Sequence, residues 1–198
     1  QKVIISFEGG EGVGKSTHSK LFCNHLQQRG LPWLSLREPG GSSFSEQLRP
    51  LFFEQGLDHL TELLLVLSSR RENITKLIEP AVAEGRIVVI DRFIDSTLVY
   101  QGVLGGIGVE RTRQIMELTG TWREPDLTFV LDIDPARALK RIRPGDKFEN
   151  QAIGFHEQIR KAFLELASQK RHVVIDADRK HEEVSRDILA VADSFLHV

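Results

Sequence analysis

The sequence predicts an α/β protein built on a five-stranded parallel sheet with helices on both faces. Five short apolar runs rich in β-branched residues alternate with stretches of helical periodicity, as buried parallel strands do. These runs cover residues 3–7, 33–36, 87–90, 127–131 and 173–175. A length of 198 residues suits one domain, and no internal repeat or linker divides the chain. We therefore expect a single domain over residues 1–198.

The composition indicates which kinds of binding partner and which kinds of site are unfavourable. A net charge of −2 favours neither nucleic acid nor a membrane surface. Cys23 is the only cysteine, which excludes a disulfide framework within the chain and a cysteine-based metal site. No apolar run approaches the ~18 residues that a membrane span needs. We expect a cytoplasmic enzyme that acts on small molecules.

The first predicted strand leads into a glycine-rich loop. Residues 9–16 match G-x-x-x-x-G-K-[ST], and a segment of helical periodicity follows. Glycines let consecutive backbone N–H groups converge on phosphate oxygens, and the helix adds its positive N-terminal end. Lys15 is expected to reach the β- and γ-phosphates, and the Ser16 hydroxyl to ligate Mg²⁺. The residues predicted to hold the ATP phosphates are Gly9, Gly10, Glu11, Gly12, Val13, Gly14, Lys15, Ser16 and Thr17.

The end of the second strand carries a cation at the edge of the sheet where α/β proteins bind ligands. Arg37 is followed by Glu38 and then Pro39-Gly40-Gly41, a combination that favours a sharp turn. Taken alone, a plain turn is the better interpretation. A helix starting near residue 45 should then carry Arg49, and Pro50 should bend or end it.

Residues 61–84 are predicted to form one long helix. Leu63, Leu67, Ile74 and Ile78 recur at helical spacing and form a core-facing stripe. Arg70 lies on the neighbouring stripe with Val66, four residues earlier. This arginine either extends along the surface into solvent or faces the cleft and binds a base or a phosphate.

The third strand runs into Asp91 and Arg92. An acid at a strand end beside a phosphate loop is well placed to hold Mg²⁺ or its water shell, and an arginine offers a planar fork to a phosphate. A helix after this point would place Ser96 with Tyr100, and Thr97 with Gln101, on adjacent faces. Glycines 102, 105, 106 and 108 should then break that helix.

The last third of the chain carries fewer signals. Asp134 is predicted to cap a helix before Pro135 rather than to act as a catalyst. The segment 141–154, which is basic at its start and contains a glycine, suits a lid that closes over a triphosphate. The final helix, over residues 181–196, looks structural, with Val184, Ile188, Val191 and Phe195 at helical spacing.

A phosphate loop by itself fits kinases, GTPase switches and ATP-driven assembly factors. Guanine-specific GTPases carry an Asn-Lys-x-Asp string, which is absent here. The length and the basic lid favour a small kinase of metabolites.

At this point the chain resembles bacterial thymidylate kinases over nearly its whole length. The matching blocks are residues 7–17, 37–41, 69–72, 91–93, 96–102, 125–128 and 146–149. The Arg-Glu-Pro-Gly-Gly and Asp-Arg-Phe…Tyr-Gln-Gly blocks, in this order, are far more specific than the phosphate loop. The resemblance implies a P-loop NTPase type of three-layer fold with a lid, transfer of a phosphoryl group from Mg-ATP to dTMP, and a homodimer.

The resemblance also implies roles for single residues. Lys15 and Arg92 would stabilise the transferred group, and Glu11 would accept from the 3′-hydroxyl of dTMP and help organise Mg²⁺. The phosphate loop lacks the arginine that some relatives carry there, so Arg143 or Arg141 of the lid would supply it. Lys147 replaces a common arginine, which leaves its role open.

The acceptor site follows from the same resemblance. Arg37 and Arg49 would hold the 5′-phosphate, Tyr100 would exclude a ribose 2′-hydroxyl, and Arg70 and Gln101 would bind the edges of thymine. The full set predicted to bind dTMP is Glu11, Arg37, Pro39, Arg49, Val66, Arg70, Arg92, Ser96, Thr97, Tyr100 and Gln101.

Val66 departs from the family, which usually places a stacking phenylalanine there. Stacking adds ~0.5–1.5 kcal/mol beyond burial, so we expect a higher KM for dTMP than in relatives that carry the ring. Two alternatives stay open: a kinase of another nucleoside monophosphate or of several pyrimidine nucleotides, and a nucleotide-binding regulatory module without turnover.

Overall fold

The computed structural model describes residues 2–54, 56–142 and 151–198. The sheet has five parallel strands in the order β2-β3-β1-β4-β5. The strands are β1 (Ile4–Glu8), β2 (Trp33–Arg37), β3 (Ile87–Asp91), β4 (Leu127–Asp132) and β5 (His172–Asp176). All five predicted strands are confirmed, each with its ends within one residue of the prediction.

Helices connect the strands. They are α1 (Lys15–Gln28), α2 (Ser43–Phe52), α3 (His59–Asn73), α4 (Glu79–Ala83), α5 (Ile94–Thr97), α6 (Val109–Leu118), α7 (Pro135–Ala138), α8 (Ile153–Leu166) and α9 (His181–Leu196). Two π-helical segments, Ile74–Ile78 and Leu98–Leu104, join α3 to α4 and extend α5, and a 3₁₀ turn, Leu139–Arg141, follows α7.

The core lies on both faces of the sheet. Alternation along β1 sends Ile5 and Phe7 to the face covered by α1 and α9, and Ile4 to the face covered by α3 and α4. Each of these side chains is fully buried. The predicted α/β fold with three layers is therefore confirmed.

The predicted long helix is present but is not uniform. The chain is helical from residue 59 to residue 83, and residues 74–78 form a π segment within it. The stripe of Leu63, Leu67, Ile74 and Ile78 is buried, as predicted. Asp58 caps the start, since its carboxylate accepts the N–H groups of Leu60 and Thr61 at 3.0 Å.

The structure corrects some local predictions. Pro50 does not end α2, which runs on to Phe52, and the Phe53 N–H closes the last turn on the Arg49 carbonyl at 3.3 Å. The predicted break occurs at Gly105, which follows the last helical residue, Leu104, and not at Gly102. A Cβ at Gly102 would lie 3.3 Å from the Thr112 hydroxyl, so this glycine permits close packing against α6. Phe195 of α9 is 38% exposed and lies at the edge of the predicted stripe.

The predicted cap at Asp134 is confirmed. Its carboxylate accepts the N–H groups of Ala136 and Arg137 at 3.0 and 3.3 Å, just before Pro135. In the part of the chain that the structure describes, no helix is long and apolar enough to cross a membrane.

Candidate active site

A cleft of about 670 Å³ opens at the carboxyl ends of β1, β2 and β3. It gathers residues that lie far apart in the sequence, from Glu11 to His181. The predicted residues that line it are Glu11, Gly12, Gly14, Lys15, Ser16, Thr17, Arg37, Pro39, Arg49, Val66, Arg70, Asp91, Arg92, Ser96, Thr97, Tyr100, Gln101 and Arg141. The cleft thus lies where the strand-end rule predicts a ligand site.

The phosphate loop has the predicted strand–loop–helix context. Gly9, Gly12 and Gly14 have φ values of 137°, 72° and 96°, which favour glycine. A Cβ at Gly9 would lie 2.5 Å from the Leu131 carbonyl oxygen, so the loop also needs its small size. Helix α1 begins at Lys15 without a side-chain cap, which leaves its first N–H groups available to an anion.

Three of the residues predicted to hold the ATP phosphates, Gly9, Gly10 and Val13, do not line the cleft. Val13 is buried in the core under the loop, and only 4% of its surface is exposed. Its predicted phosphate contact therefore rests on its N–H group alone.

Lys15 is a buried ammonium group. Its Nζ atom donates to the Gly10 carbonyl at 2.5 Å. Burial first, and then the charge of Arg92, lower the pKa of Lys15 to about 8, although Glu11 and Asp91 oppose the shift. A phosphate would supply the negative charge that this group lacks and would raise its pKa again.

Arg92 connects the end of β3 to the phosphate loop. Its guanidinium donates to the Gly9 carbonyl at 3.0 Å, to the Ser96 hydroxyl at 3.1 Å and to the Glu11 carboxylate at 2.7 Å. The Tyr100 hydroxyl donates to the same Glu11 oxygen at 2.8 Å, and the Arg92 guanidinium lies 5.2 Å from the centre of the Tyr100 ring.

Glu11 is ionised at neutral pH. Burial opposes its charge, but Arg92 and Lys15 outweigh that effect and lower its pKa to about 2. The acid inside the phosphate loop therefore has a cation, Arg92, and a hydroxyl, that of Tyr100, as partners.

The residues predicted to hold a metal lie together. The Ser16 hydroxyl donates to the Asp91 carboxylate. Among the described residues no cluster of three or more His, Cys, Asp or Glu side chains could hold a metal ion. This oxygen-rich pair fits Mg²⁺, which keeps several waters and binds through one or two protein groups and substrate phosphates.

Arg70 faces the cleft, so the surface alternative is wrong. Only 1% of Arg70 is exposed. Its Nε and Nη2 atoms donate to one oxygen of Glu38 at 2.8 and 2.7 Å, and Nη2 also donates to the Thr97 hydroxyl at 2.8 Å. Burial raises the pKa of Glu38, and the charge of Arg70 opposes that rise.

The two arginines predicted to hold the acceptor phosphate line the other end of the cleft. Arg37 pairs with Glu46 at 2.9 Å and is about half exposed. Arg49 donates to the Pro39 carbonyl, and its guanidinium lies 4.8 Å from the centre of the Phe53 ring. Both guanidinium groups therefore lie where a phosphate in the cleft could reach them.

Ser96, Thr97, Tyr100 and Gln101 all line the cleft and are all buried. Ser96 and Thr97 lie in α5, and Tyr100 and Gln101 lie in the π segment that extends it.

Of the predicted lid, residues 141–154, only the two ends, 141–142 and 151–154, belong to the described residues. Arg143 and Lys147 lie outside the described residues. Arg141 and Ile142 line the cleft, and the Arg141 guanidinium lies 3.8 Å from the Asp178 carboxylate.

Several lining residues were not predicted. Glu38, Phe52, Phe53 and Phe93 line the acceptor side, and residues 179–181 line the opposite side. The segment 179–181 follows β5, so the strand-end rule would have found it. The positions of Phe52 and Phe53 depend on how α2 packs, which local sequence does not give.

Comparison with known proteins fits this geometry. The family model described as thymidylate kinase matches residues 7–188. The chain belongs to the thymidylate kinase family. Members of this family are nucleoside monophosphate kinases, which are phosphotransferases.

Individual thymidylate kinases are similar over most of their length. The chain is 41% identical over 202 residues to one from Symbiobacterium thermophilum, covering 98% of this chain and 94% of that protein. It is 45% identical over 167 residues to one from Wolbachia pipientis, covering 83% and 85%. The crystal structure of thymidylate kinase from Ehrlichia chaffeensis superposes with a TM-score of 0.78 at 32% identity, covering 96% of this chain and 98% of that one.

Proposed function

We propose that this protein transfers the γ-phosphoryl group of Mg-ATP to dTMP, giving ADP and dTDP. One observation carries the proposal within the family. The cluster of Lys15, Arg92 and Glu11 lies in the same cleft as Arg70, Tyr100 and Gln101. The proposed phosphate-transfer centre and the proposed deoxynucleotide site would therefore share one cavity.

The phosphate loop would hold the donor. Its N–H groups and the start of α1 would bind the β- and γ-phosphates, with Lys15 reaching over them. Ser16 and Asp91 would hold Mg²⁺, directly or through water. When bound, the ion neutralises charge on the phosphate oxygens.

Arg92 would stabilise the transferred group. Phosphoryl transfer spreads negative charge over the equatorial oxygens, so catalysis depends on positioned cations. Arg92 lies between the phosphate loop and the acceptor side, where it could contact both phosphates. The Glu11 carboxylate, fixed by Arg92 and Tyr100, would accept from the 3′-hydroxyl of dTMP.

The acceptor side would select the nucleotide. Arg37 and Arg49 would bind the 5′-phosphate. Arg70, Thr97 and Gln101 would bind the base, whose methyl group would lie near Pro39. Tyr100 would exclude the 2′-hydroxyl of ribose by steric conflict. Losing one methyl contact costs only ~1 kcal/mol, so dUMP should be a poorer but real substrate.

We propose that residues 141–154 are the lid of a single kinase domain spanning residues 1–198, and that Arg143 is its catalytic arginine. Two observations support this assignment. The segment is basic at its start, and its first residue, Arg141, lines the cleft. The predicted cytoplasmic location stays a prediction.

The test is nucleotide turnover with Mg-ATP and a panel of dTMP, dUMP, UMP, dCMP, AMP and GMP, with ADP release as the signal. Rapid turnover of dTMP, slower turnover of dUMP and negligible turnover of UMP would support the proposal. Preference for another monophosphate would overturn the acceptor site and keep the donor site. No turnover with any of them would favour the regulatory module.

We also propose that the protein is a homodimer. Phe44 and Leu51 of α2 and Leu60 and Leu64 of α3 are 43–54% exposed, and a second copy could cover them. Sedimentation should give twice the chain mass for the wild type and a lower mass for Leu64→Glu. Leu118→Glu is the control: Leu118 is 87% exposed on α6 and its change should leave the mass unaltered. A monomeric wild type would contradict the proposal.

A further inference from the structure

The backbone of Arg92 adopts a conformation that arginine disfavours. Its φ is 66°, in the left-handed region, and His197 is the only other non-glycine residue with positive φ among the described residues. Such a conformation persists only where neighbouring contacts hold it. The conformation decides where the guanidinium points, so whatever holds it also positions Arg92.

The end of β1 supplies those contacts. The Arg92 N–H donates to the Phe7 carbonyl at 3.0 Å. The next N–H, that of Phe93, donates to the Oε1 atom of Glu8 at 2.8 Å. The left-handed residue is therefore held on both sides by two consecutive residues of one strand.

Glu8 also reaches the side chain of Arg92 through one intermediate. The Ser96 hydroxyl donates to the Oε2 atom of Glu8 at 2.5 Å and accepts from the Arg92 guanidinium at 3.1 Å. One carboxylate thus holds both the backbone next to Arg92 and the hydroxyl that contacts its guanidinium.

A carboxylate at this position is costly. Glu8 is fully buried, and among the residues that the structure describes it forms no ion pair. Burial first, and then the negative charge of Asp95, raise its pKa to about 7, while the hydrogen bonds and the charge of Arg92 oppose the shift. Lys15 is the other cation that it faces. An apolar side chain would fill the space without this cost but would leave the Phe93 N–H and the Ser96 hydroxyl without their acceptor.

Glu8 does not line the cleft, although it directly precedes the phosphate loop. Any effect on the reaction must therefore pass through its neighbours. We propose that Glu8 is a positioning residue that fixes Arg92, through the Phe93 N–H and the Ser96 hydroxyl, in the orientation needed for phosphoryl transfer. The inference rests on the proposed function, since it takes Arg92 as the group that contacts the phosphates.

The test is the steady-state kinetics of Glu8→Gln. The amide oxygen can still accept the Phe93 N–H, but the amide nitrogen cannot accept from the Ser96 hydroxyl. We expect kcat to fall by about 10- to 100-fold, the range for a misplaced catalytic group. The KM for Mg-ATP should stay within about threefold, because no group proposed to contact ATP is replaced. Equal loss in kcat and in Mg-ATP affinity, or wild-type kinetics, would overturn the proposal.

Asp126→Asn is the matched control. Asp126 also accepts a backbone N–H of β1, that of Ile4 at 2.8 Å, but at the end of the strand away from the cleft. This variant should keep kcat within about twofold of the wild type. A loss equal to that of Glu8→Gln would show a general effect of anchoring β1 and would overturn the proposal.

Ser96→Ala keeps the idea testable if Glu8→Gln does not fold. This variant should lower kcat without raising the KM for either substrate. A rise in the KM for dTMP alone would show that Ser96 contacts dTMP rather than linking Glu8 to Arg92, and would overturn the proposal. Where both single variants fold, the double variant should lose little more than the larger single loss. A wild type that does not phosphorylate dTMP refutes the proposed function instead, and is seen before any variant is made.

Discussion

Two arginine–glutamate pairs line the cleft, and they differ in their access to ligand. Arg92 and Glu11 are 2.7 Å apart, with 16% and 12% of their side chains exposed. Arg70 and Glu38 are also 2.7 Å apart but are only 1% and 4% exposed. The same ion pair thus occurs once partly exposed at the wall of the cavity and once almost fully buried in the protein.

The difference changes the charge state of each acid. The pKa of Glu11 falls to about 2 because two cations, Arg92 and Lys15, outweigh its burial. The pKa of Glu38 rises because burial outweighs its one cation. We propose that the first pair offers fixed charge to the reacting phosphates, and that the second is a rigid frame that holds Arg70, the arginine proposed to bind the base.

The largest expected effect is on the first pair. Arg92→Met should lower kcat by about 10³-fold, or ~4 kcal/mol of transition-state stabilisation, the range for removing one positioned donor. Arg113→Met, at a 45% exposed side chain on α6, is the control and should stay within about twofold. A loss confined to the KM for Mg-ATP would mean that Arg92 only binds.

The second pair should respond in stability. Arg70→Met leaves Glu38 buried without its cation, which should cost about 3–5 kcal/mol of unfolding free energy at pH 8. The cost should be smaller at pH 5, because the unpaired acid can then take up a proton. Urea unfolding at both pH values measures this. Arg71→Met, at the exposed neighbour that donates to the Gly120 carbonyl, should cost under ~1 kcal/mol.

The affinity for Mg-ATP should depend on the protonation of Lys15. The pKa of Lys15 is about 8, and only the charged form attracts phosphate. Affinity should therefore hold below pH 8 and fall by up to about tenfold per pH unit above it. Calorimetric titration between pH 7 and pH 9.5 tests this, and Lys15→Arg, which does not titrate there, should show no such fall. A flat wild-type profile would contradict the prediction.

The smallest expected effect is on the base. Val66→Phe should lower the KM for dTMP by about 2- to 10-fold, since stacking adds ~0.5–1.5 kcal/mol. Val66 is buried and lines the cleft, so a ring there would enter the acceptor site. Val66→Leu is the control: it adds volume to the acceptor site without a ring, so it separates the effect of filling space from that of stacking on the base. An unchanged or higher KM in Val66→Phe would show that valine at this position does not weaken the binding of dTMP.

Local sequence predicted the donor side better than the acceptor side. The phosphate loop is one contiguous segment whose glycines, lysine and serine each have a fixed role, so the pattern and the geometry coincide. The strands were equally clear, because parallel strands buried on both faces are continuous apolar runs.

The acceptor side depends on contacts distant in sequence. Arg70 could not be assigned by periodicity, because Glu38, its partner, lies 32 residues away on another element. Pro50 was expected to bend or end α2, yet the helix continues to a closed last turn beyond it. Of the glycines expected to break the other helix, Gly105 does so, whereas Gly102 packs against Thr112. The role that we propose for Glu8 could not be predicted from the sequence either, because its partners, Phe93 and Ser96, lie 85 and 88 residues away.

The most direct test is to measure dTDP formation from dTMP and Mg-ATP by the wild type beside Glu11→Gln and Glu38→Gln. The account predicts that the wild type forms dTDP, that Glu11→Gln loses about 100-fold in kcat, and that Glu38→Gln changes stability or the KM for dTMP far more than kcat. No dTDP from the wild type, or an equal loss of kcat in both variants, would contradict it.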